Sequence, residues 1–206
     1  MWFGRARIRP ARARRRSCRP VALGTVGIPD LEEESTVATS ADVLTDAYER
    51  IKEVVHEAVD GLAEDDLGYR MDPGANSIAW LIWHLTRVQD DHIADVAGTE
   101  QVWTAQGWYD RFGLPIDESA TGYGDRPEGV AVIRASAQLL AGYFDAVHEQ
   151  TLRFVRGLGD DDLDRVVDSR WDPPVTLGVR LVSVISDDLQ HAGQAAFLRG
   201  VVERTR

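Results

Sequence analysis

Residues 76–98 read NSIAWLIWHLTRVQDDHIADVAG. Trp80, Leu81, His84, Leu85, Val88 and Ile93 recur at three- and four-residue steps, the period of a helix face, and the first half is apolar almost all the way round. A helix apolar on every side must be covered on every side, so this stretch predicts a buried helix in an all-α protein. Asn76 or Ser77 supplies an N-cap oxygen and Gly98 a stop. A single histidine, His84, interrupts the apolar half.

Working outward, Val43, Ala47, Ile51, Val54, Val55, Ala58 and Leu62 follow Thr39 or Ser40 with the same period and predict an amphipathic helix ending near Gly61. Asp125 and Pro127 open a third helix that carries Val130, Ile133, Ala137, Leu140, Phe144, Val147, Leu152 and Val155 as far as Gly157. A fourth begins at Thr176, after Trp171-Asp172-Pro173-Pro174, and runs to about Gly200. Asp72-Pro73 recurs 100 residues later as Asp172-Pro173, and Leu81 matches Leu181 at that offset, which suggests two helical hairpins of similar plan. No strand-period segment competes. Residues 99–126 read as irregular and far exceed the roughly 2–8 residues that join bundle helices, so they predict a crossover or a functional loop. The expected fold is an all-α four-helix bundle with a long crossover between helices two and three.

At 206 residues the chain suits one domain, and its longest apolar run falls short of the roughly 18 residues a bilayer span needs. The formal net charge of −11 conceals a more acidic body, because residues 1–20 hold eight arginines and no acid. Such a body repels a phosphate backbone, which argues against nucleic-acid partners. Cys18 is the only cysteine, so an intramolecular disulfide and a cysteine zinc knuckle are both excluded, and a reducing cytoplasm fits. Residues 1–36 lack the apolar core of a secretory signal and offer no core-forming pattern; we expect them to be disordered or a mis-called start. The folded domain is expected over 37–206.

Asp187 and His191 stand four residues apart, one above the other on a helix face, a spacing that lets two side chains share one metal ion. The same face carries Val184 and therefore points inward, where unpaired polar groups would cost several kcal/mol, so a partner is expected. If the crossover makes helices two and three parallel, helix four runs antiparallel to helix two. His84 then lies ~12 Å past its N-cap and His191 ~13–14 Å before Gly200, at one level. Two imidazoles and one carboxylate suit Zn²⁺ first and Ni²⁺ second, with open positions for water or substrate.

Asn76 to Leu85 (NSIAWLIWHL) and Asp187 to Gln194 (DDLQHAGQ) together resemble the DinB-like superfamily, in its uncharacterised branch near the mycothiol-dependent maleylpyruvate isomerases and thiol S-transferases. The resemblance covers roughly residues 40–203. It implies His84, Asp187 and His191 as ligands. It also implies a divalent metal, a low-molecular-weight thiol such as mycothiol or bacillithiol as cosubstrate, and transferase or isomerase chemistry on a small electrophile. Asp187 departs from the family pattern of His or Glu, and Asp188 is a rival carboxylate. The alternative is a non-catalytic bundle with a structural metal or none, binding a hydrophobic ligand or a partner subunit; a homodimer is compatible with either. Asp91 and His92 read as helix-end residues, and His56 and His148 as structural. Trp103, Trp108 and Tyr109 form either a lid over the site or a satellite core. Arg87 and Gln194 sit within a turn of the ligands, as orienting or substrate contacts. The Asp160-Asp161-Asp162 run is a solvated turn without calcium-loop spacing.

Overall fold

The computed structural model describes residues 37–205; the expectation for residues 1–36 lies outside them. Four long helices, α1 (Ser40–Val59), α3 (Ile78–Ala97), α7 (Ala137–Val155) and α8 (Leu177–Thr205), enclose the core. Between them lie the short helices α2 (Glu64–Leu67), α4 (Val102–Ala105), α5 (Trp108–Phe112) and α6 (Pro127–Val132), a 3₁₀ turn at Asp160–Asp164 and a small antiparallel pair, β1 (Val166–Asp168) with β2 (Val175–Thr176). α7 and α8 each pack on both α1 and α3, which face each other across the bundle's diagonal. His191 meets Trp80 and His84 while Arg180 meets His92, so α8 runs antiparallel to α3. Arg87 meets Tyr143 and Thr99 meets Gln150, so α7 runs parallel to α3 and the intervening segment is the expected overhand crossover.

The caps explain where the helices begin. Thr39 and Asp42 form a reciprocal capping box at the start of α1. At α3 the cap is Ser77, whose Oγ accepts from the Trp80 amide at 3.1 Å, and Gly98 closes the helix with φ of 67°. Between them Trp83, His84 and Leu85 are all buried, as a centrally packed helix requires.

Four expectations need correction. The third helix is two: Ile133 leaves helical geometry (ψ 97°) and Ser136 caps a fresh start, accepting from the Leu139 amide. The fourth helix continues past Gly200 to Thr205, because Val202 is still buried and Arg199 pairs with Glu203 one turn on. Residues 99–126 contain two short helices rather than none. A strand pair does exist, although it is only three residues against two.

A buried ion pair ties the crossover down. Asp90 accepts the amides of Val102 and Trp103, each at 2.8 Å, and the Tyr143 hydroxyl at 2.8 Å. Arg87 donates to the Ala120 carbonyl at 3.0 Å and to Gln101 at 2.9 Å, and its guanidinium lies 5.0 Å from the Trp103 ring centre. Both ends of the crossover are thus fixed to α3. Trp103 packs on Trp83, Phe112 and Tyr143, so it is part of the bundle's own core rather than of a lid or a satellite. Arg87, fully buried, likewise holds the crossover.

Candidate metal centre

His84 projects from the middle of α3, and Asp187 and His191 from facing turns of α8. One donor atom from each lies within 4.8 Å of the others. The two imidazole centres are 4.9 Å apart and nearly perpendicular, at 76°. His191 Nε2 lies 3.6 Å from Asp187 Oδ1. That is too long for a hydrogen bond, yet close to the roughly 3.4 Å that separates two donors held at 2.0–2.2 Å by one tetrahedral ion. Asp187 Oδ2 is buried with no hydrogen-bond partner.

Both rings are oriented from behind. His84 Nδ1–H donates to the Thr121 carbonyl at 2.5 Å, and His191 Nδ1–H to Gln194 Oε1 at 3.3 Å. In the neutral tautomer with this Nδ1–H, a ring presents Nε2 as a lone pair, the form a metal takes. Burial holds the His84 pKa below its ordinary value, and the neighbouring His191 pushes it the same way against the Thr121 bond, so the ring is neutral near pH 7. Trp80 stacks on His84 at 4.5 Å and donates its indole N–H to Asp125 at 3.0 Å. Two imidazoles and one carboxylate, whose second oxygen is orphaned, fit a divalent cation.

The backing depends on a glycine. Gly122 has φ of 84°, and a Cβ there would come within 2.8 Å of His84 Nδ1 and 3.0 Å of the Trp83 ring. The crossover can lie this close to His84 only without a side chain. Thr121, Gly122 and Asp125 were not singled out from the sequence for this role; the Gly122-Tyr123-Gly124 pattern in the loop was the available signal. Asp188 lies outside this cluster. One residue round the helix, it is turned into the core toward Tyr48, fully buried, and neither of its oxygens has a hydrogen-bond partner.

A cleft of about 430 Å³ opens beside the cluster, lined by His84, Asp187, Val88, Val184, His92 and Ser183 among others. Asp91 and His92 belong to its wall and are more than helix-end residues. His56 pairs with Asp145 at 2.8 Å and the buried His148 with Glu49 at 3.3 Å, both away from the cleft.

The four long helices, the crossover and the paired His84 and His191 define a DinB-like protein. Residues 43–204 match the Mycothiol-S-transferase family, and the chain belongs to it. Among solved structures it is similar to a conserved protein from Enterococcus faecalis, at 29% identity and a TM-score of 0.76, over 81% of this chain and 98% of that one. Comparison with curated proteins gives no match. No helix among the described residues is long and apolar enough to cross a membrane.

Proposed function

We propose that this protein is a divalent-metal-dependent thiol transferase of the mycothiol type that acts on a small electrophile in a reducing cytoplasm. The observation that carries the reading is the convergence of His84, Asp187 and His191 at the wall of a cleft. Three protein donors beside open space are the pattern of a catalytic site, whereas a structural zinc is closed by a fourth. Family membership supplies the thiol. His84 and His191 would bind through Nε2 and Asp187 through its carboxylate, with zinc favoured by the donor set and nickel compatible. A bound divalent ion lowers the pKa of a thiol, which makes the nucleophile available at neutral pH. In the transfer the sulfur loses its proton, a carbon–sulfur bond forms, and the electrophile's leaving group departs with a proton. Thr121 and Gln194 keep the imidazoles in the ligating tautomer, and the Gly122 backbone covers the His84 ring.

The test is conjugation of monochlorobimane to mycothiol by the zinc- or nickel-loaded protein. Conjugate should form above the uncatalysed rate and fall to it in His84→Ala and His191→Ala. Equal rates before and after chelator treatment would contradict the reading. A non-catalytic bundle that binds a hydrophobic ligand is favoured by one observation, an apolar groove of about 550 Å³ lined by Met71, Leu81, Leu189, Phe197 and Leu198, in which Phe197 is 64% exposed. That reading predicts ligand binding that both histidine variants retain.

A further inference from the structure

Thr121 and Tyr123 bring the crossover into the wall of the cleft. Tyr123 is 93% exposed, more than any other large hydrophobic side chain among the described residues. Within those residues its ring stacks on nothing and its hydroxyl has no hydrogen-bond partner. The backbone beneath it is nonetheless fixed. The Asp125 amide donates to the Gly122 carbonyl at 3.1 Å, which closes a four-residue turn with Tyr123 and Gly124 at its corners. Gly124 has φ of 75° and Tyr123 has a negative φ, the pattern of a type II turn. Both ends of the turn are held to α3. Gly122 lies flush against the His84 and Trp83 rings, and Asp125 accepts the Trp80 indole N–H at 3.0 Å. A clamped turn therefore presents a bare aromatic ring at the mouth of the cleft, and fixing that ring on a ligand orders only two side-chain torsions.

We infer that Tyr123 determines which electrophile the cleft takes: its ring stacks on a planar, uncharged aromatic or conjugated electrophile held beside Val88 and Val184. That the ligand reacts rests on the transferase reading above; the binding face stands without it. Three observations specify the ligand. Val88 and Val184 line the cleft next to His84 and Asp187, so the space beside the candidate ligands has apolar walls. An aromatic ring with no partner in its own chain gains from a second ring more than the area it covers, because offset or edge-on pairs add their own attraction. A small alkyl electrophile offers neither the area nor the second ring. Charge supplies the third constraint. Around His92 and Arg180 the acids Asp91, Asp95, Asp168 and Asp187 outnumber Arg170 and Arg180, so an anionic substituent is disfavoured at that wall. The electrophile that fits is therefore flat, apolar and neutral.

Two measurements on the full chain test the inference. In the first, the unreactive 1,3-dinitrobenzene and nitromethane are titrated into the protein while the Tyr123 ring resonances are followed by NMR, assigned by their loss in Tyr123→Ala. Dinitrobenzene should move them upfield and saturably; nitromethane should not. Its affinity should fall at least tenfold in Tyr123→Ala and be kept in Tyr123→Phe, which retains the ring. Unmoved Tyr123 resonances, equal shifts from nitromethane, or an unchanged affinity in Tyr123→Ala would each overturn the inference. In the second, zinc-loaded protein conjugates mycothiol to 1-chloro-2,4-dinitrobenzene or to iodoacetamide. In each reaction the thiol sulfur loses its proton, a carbon–sulfur bond forms and the halide leaves. The ratio of kcat/KM for the aryl over the alkyl electrophile cancels their intrinsic reactivities between variants. It should fall at least tenfold in Tyr123→Ala, through KM for the aryl substrate, and be kept in Tyr123→Phe. Dinitrobenzene binding at Tyr123 without conjugation of either electrophile would keep the binding face and reject the transferase reading. Conjugation with the same ratio in Tyr123→Ala as in the wild type would do the reverse.

Discussion

The ring of His84 is set by a carbonyl 37 residues away: its Nδ1 lies 2.5 Å from the Thr121 oxygen, on the crossover and not on its own helix. The loop's path therefore decides which nitrogen faces Asp187 and His191.

Gly122→Ala tests this dependence. A Cβ at 2.8 Å from Nδ1, on a backbone with φ of 84°, must displace either the loop or the ring. Metal affinity should fall roughly 10–100-fold, the usual cost of losing a group that orients a ligand. Competition with a chromophoric chelator measures it, with circular dichroism to confirm that the helices remain.

The Arg87–Asp90 pair should be worth more to stability than its 3.6 Å separation suggests, because both side chains are fully buried. Asp90→Ala leaves the guanidinium without its counter-charge and frees the amides of Val102 and Trp103. A loss of about 3–5 kcal/mol is expected from urea denaturation. Tyr143→Phe removes one hydrogen bond to the same carboxylate and should cost about 1 kcal/mol.

Neighbouring acids on α8 should behave in opposite ways. Burial raises the Asp188 pKa well above the ordinary carboxylate value, with the Asp187 charge adding to it, and its oxygens lack partners. Asp188→Asn should therefore keep bound metal and leave the thermal midpoint unchanged or higher. Asp187→Asn should lose metal, whereas Asp187→Glu should retain it. Metal analysis of the three variants separates them.

His148 should make stability depend on pH. Burial lowers its folded pKa against the opposing pull of Glu49. As pH falls through the ordinary histidine value of about 6.5, the unfolded chain takes a proton that the folded ring refuses, so stability declines on acidification until the folded pKa is reached. Asp90 and Asp188, whose pKa values are raised, act with the opposite sign, so the comparison must be differential. His148→Phe preserves stacking on Phe144 and should show a shallower fall in unfolding free energy from pH 7 to pH 5 than the wild type. Parallel curves would refute the assignment.

The long helices were legible because their signals are local: Thr39 and Ser77 as caps, Gly98 as a stop, an apolar period between. The His84–His191 pairing was legible too, since equal depth on antiparallel helices follows from rise alone. Other features depend on tertiary contacts. Val130, Ile133 and Ala137 keep one helical period across the break at Ser136, so nothing in the pattern announces it. Gly200 reads as a stop, yet a lone glycine costs only about 1 kcal/mol, which Val202 burial and the Arg199–Glu203 pair outweigh. Arg87 reads in sequence as an orienting or substrate contact, because the Ala120 carbonyl and the Gln101 amide oxygen that hold it come from the crossover. Asp187 and Asp188 differ by a turn of about 100°, and only burial in the folded bundle shows which one faces the core.

The metal content of the purified protein beside His191→Ala tests the central claim most directly. Dialysed wild type supplied with zinc should retain about one ion per chain and gain thermal stability of several degrees, since ligand at 100 times its dissociation constant adds about 2.7 kcal/mol. His191→Ala should retain almost none and gain nothing. Wild type that holds no divalent metal, or a His191→Ala variant that holds as much as the wild type, would contradict a metal centre built on His84, Asp187 and His191.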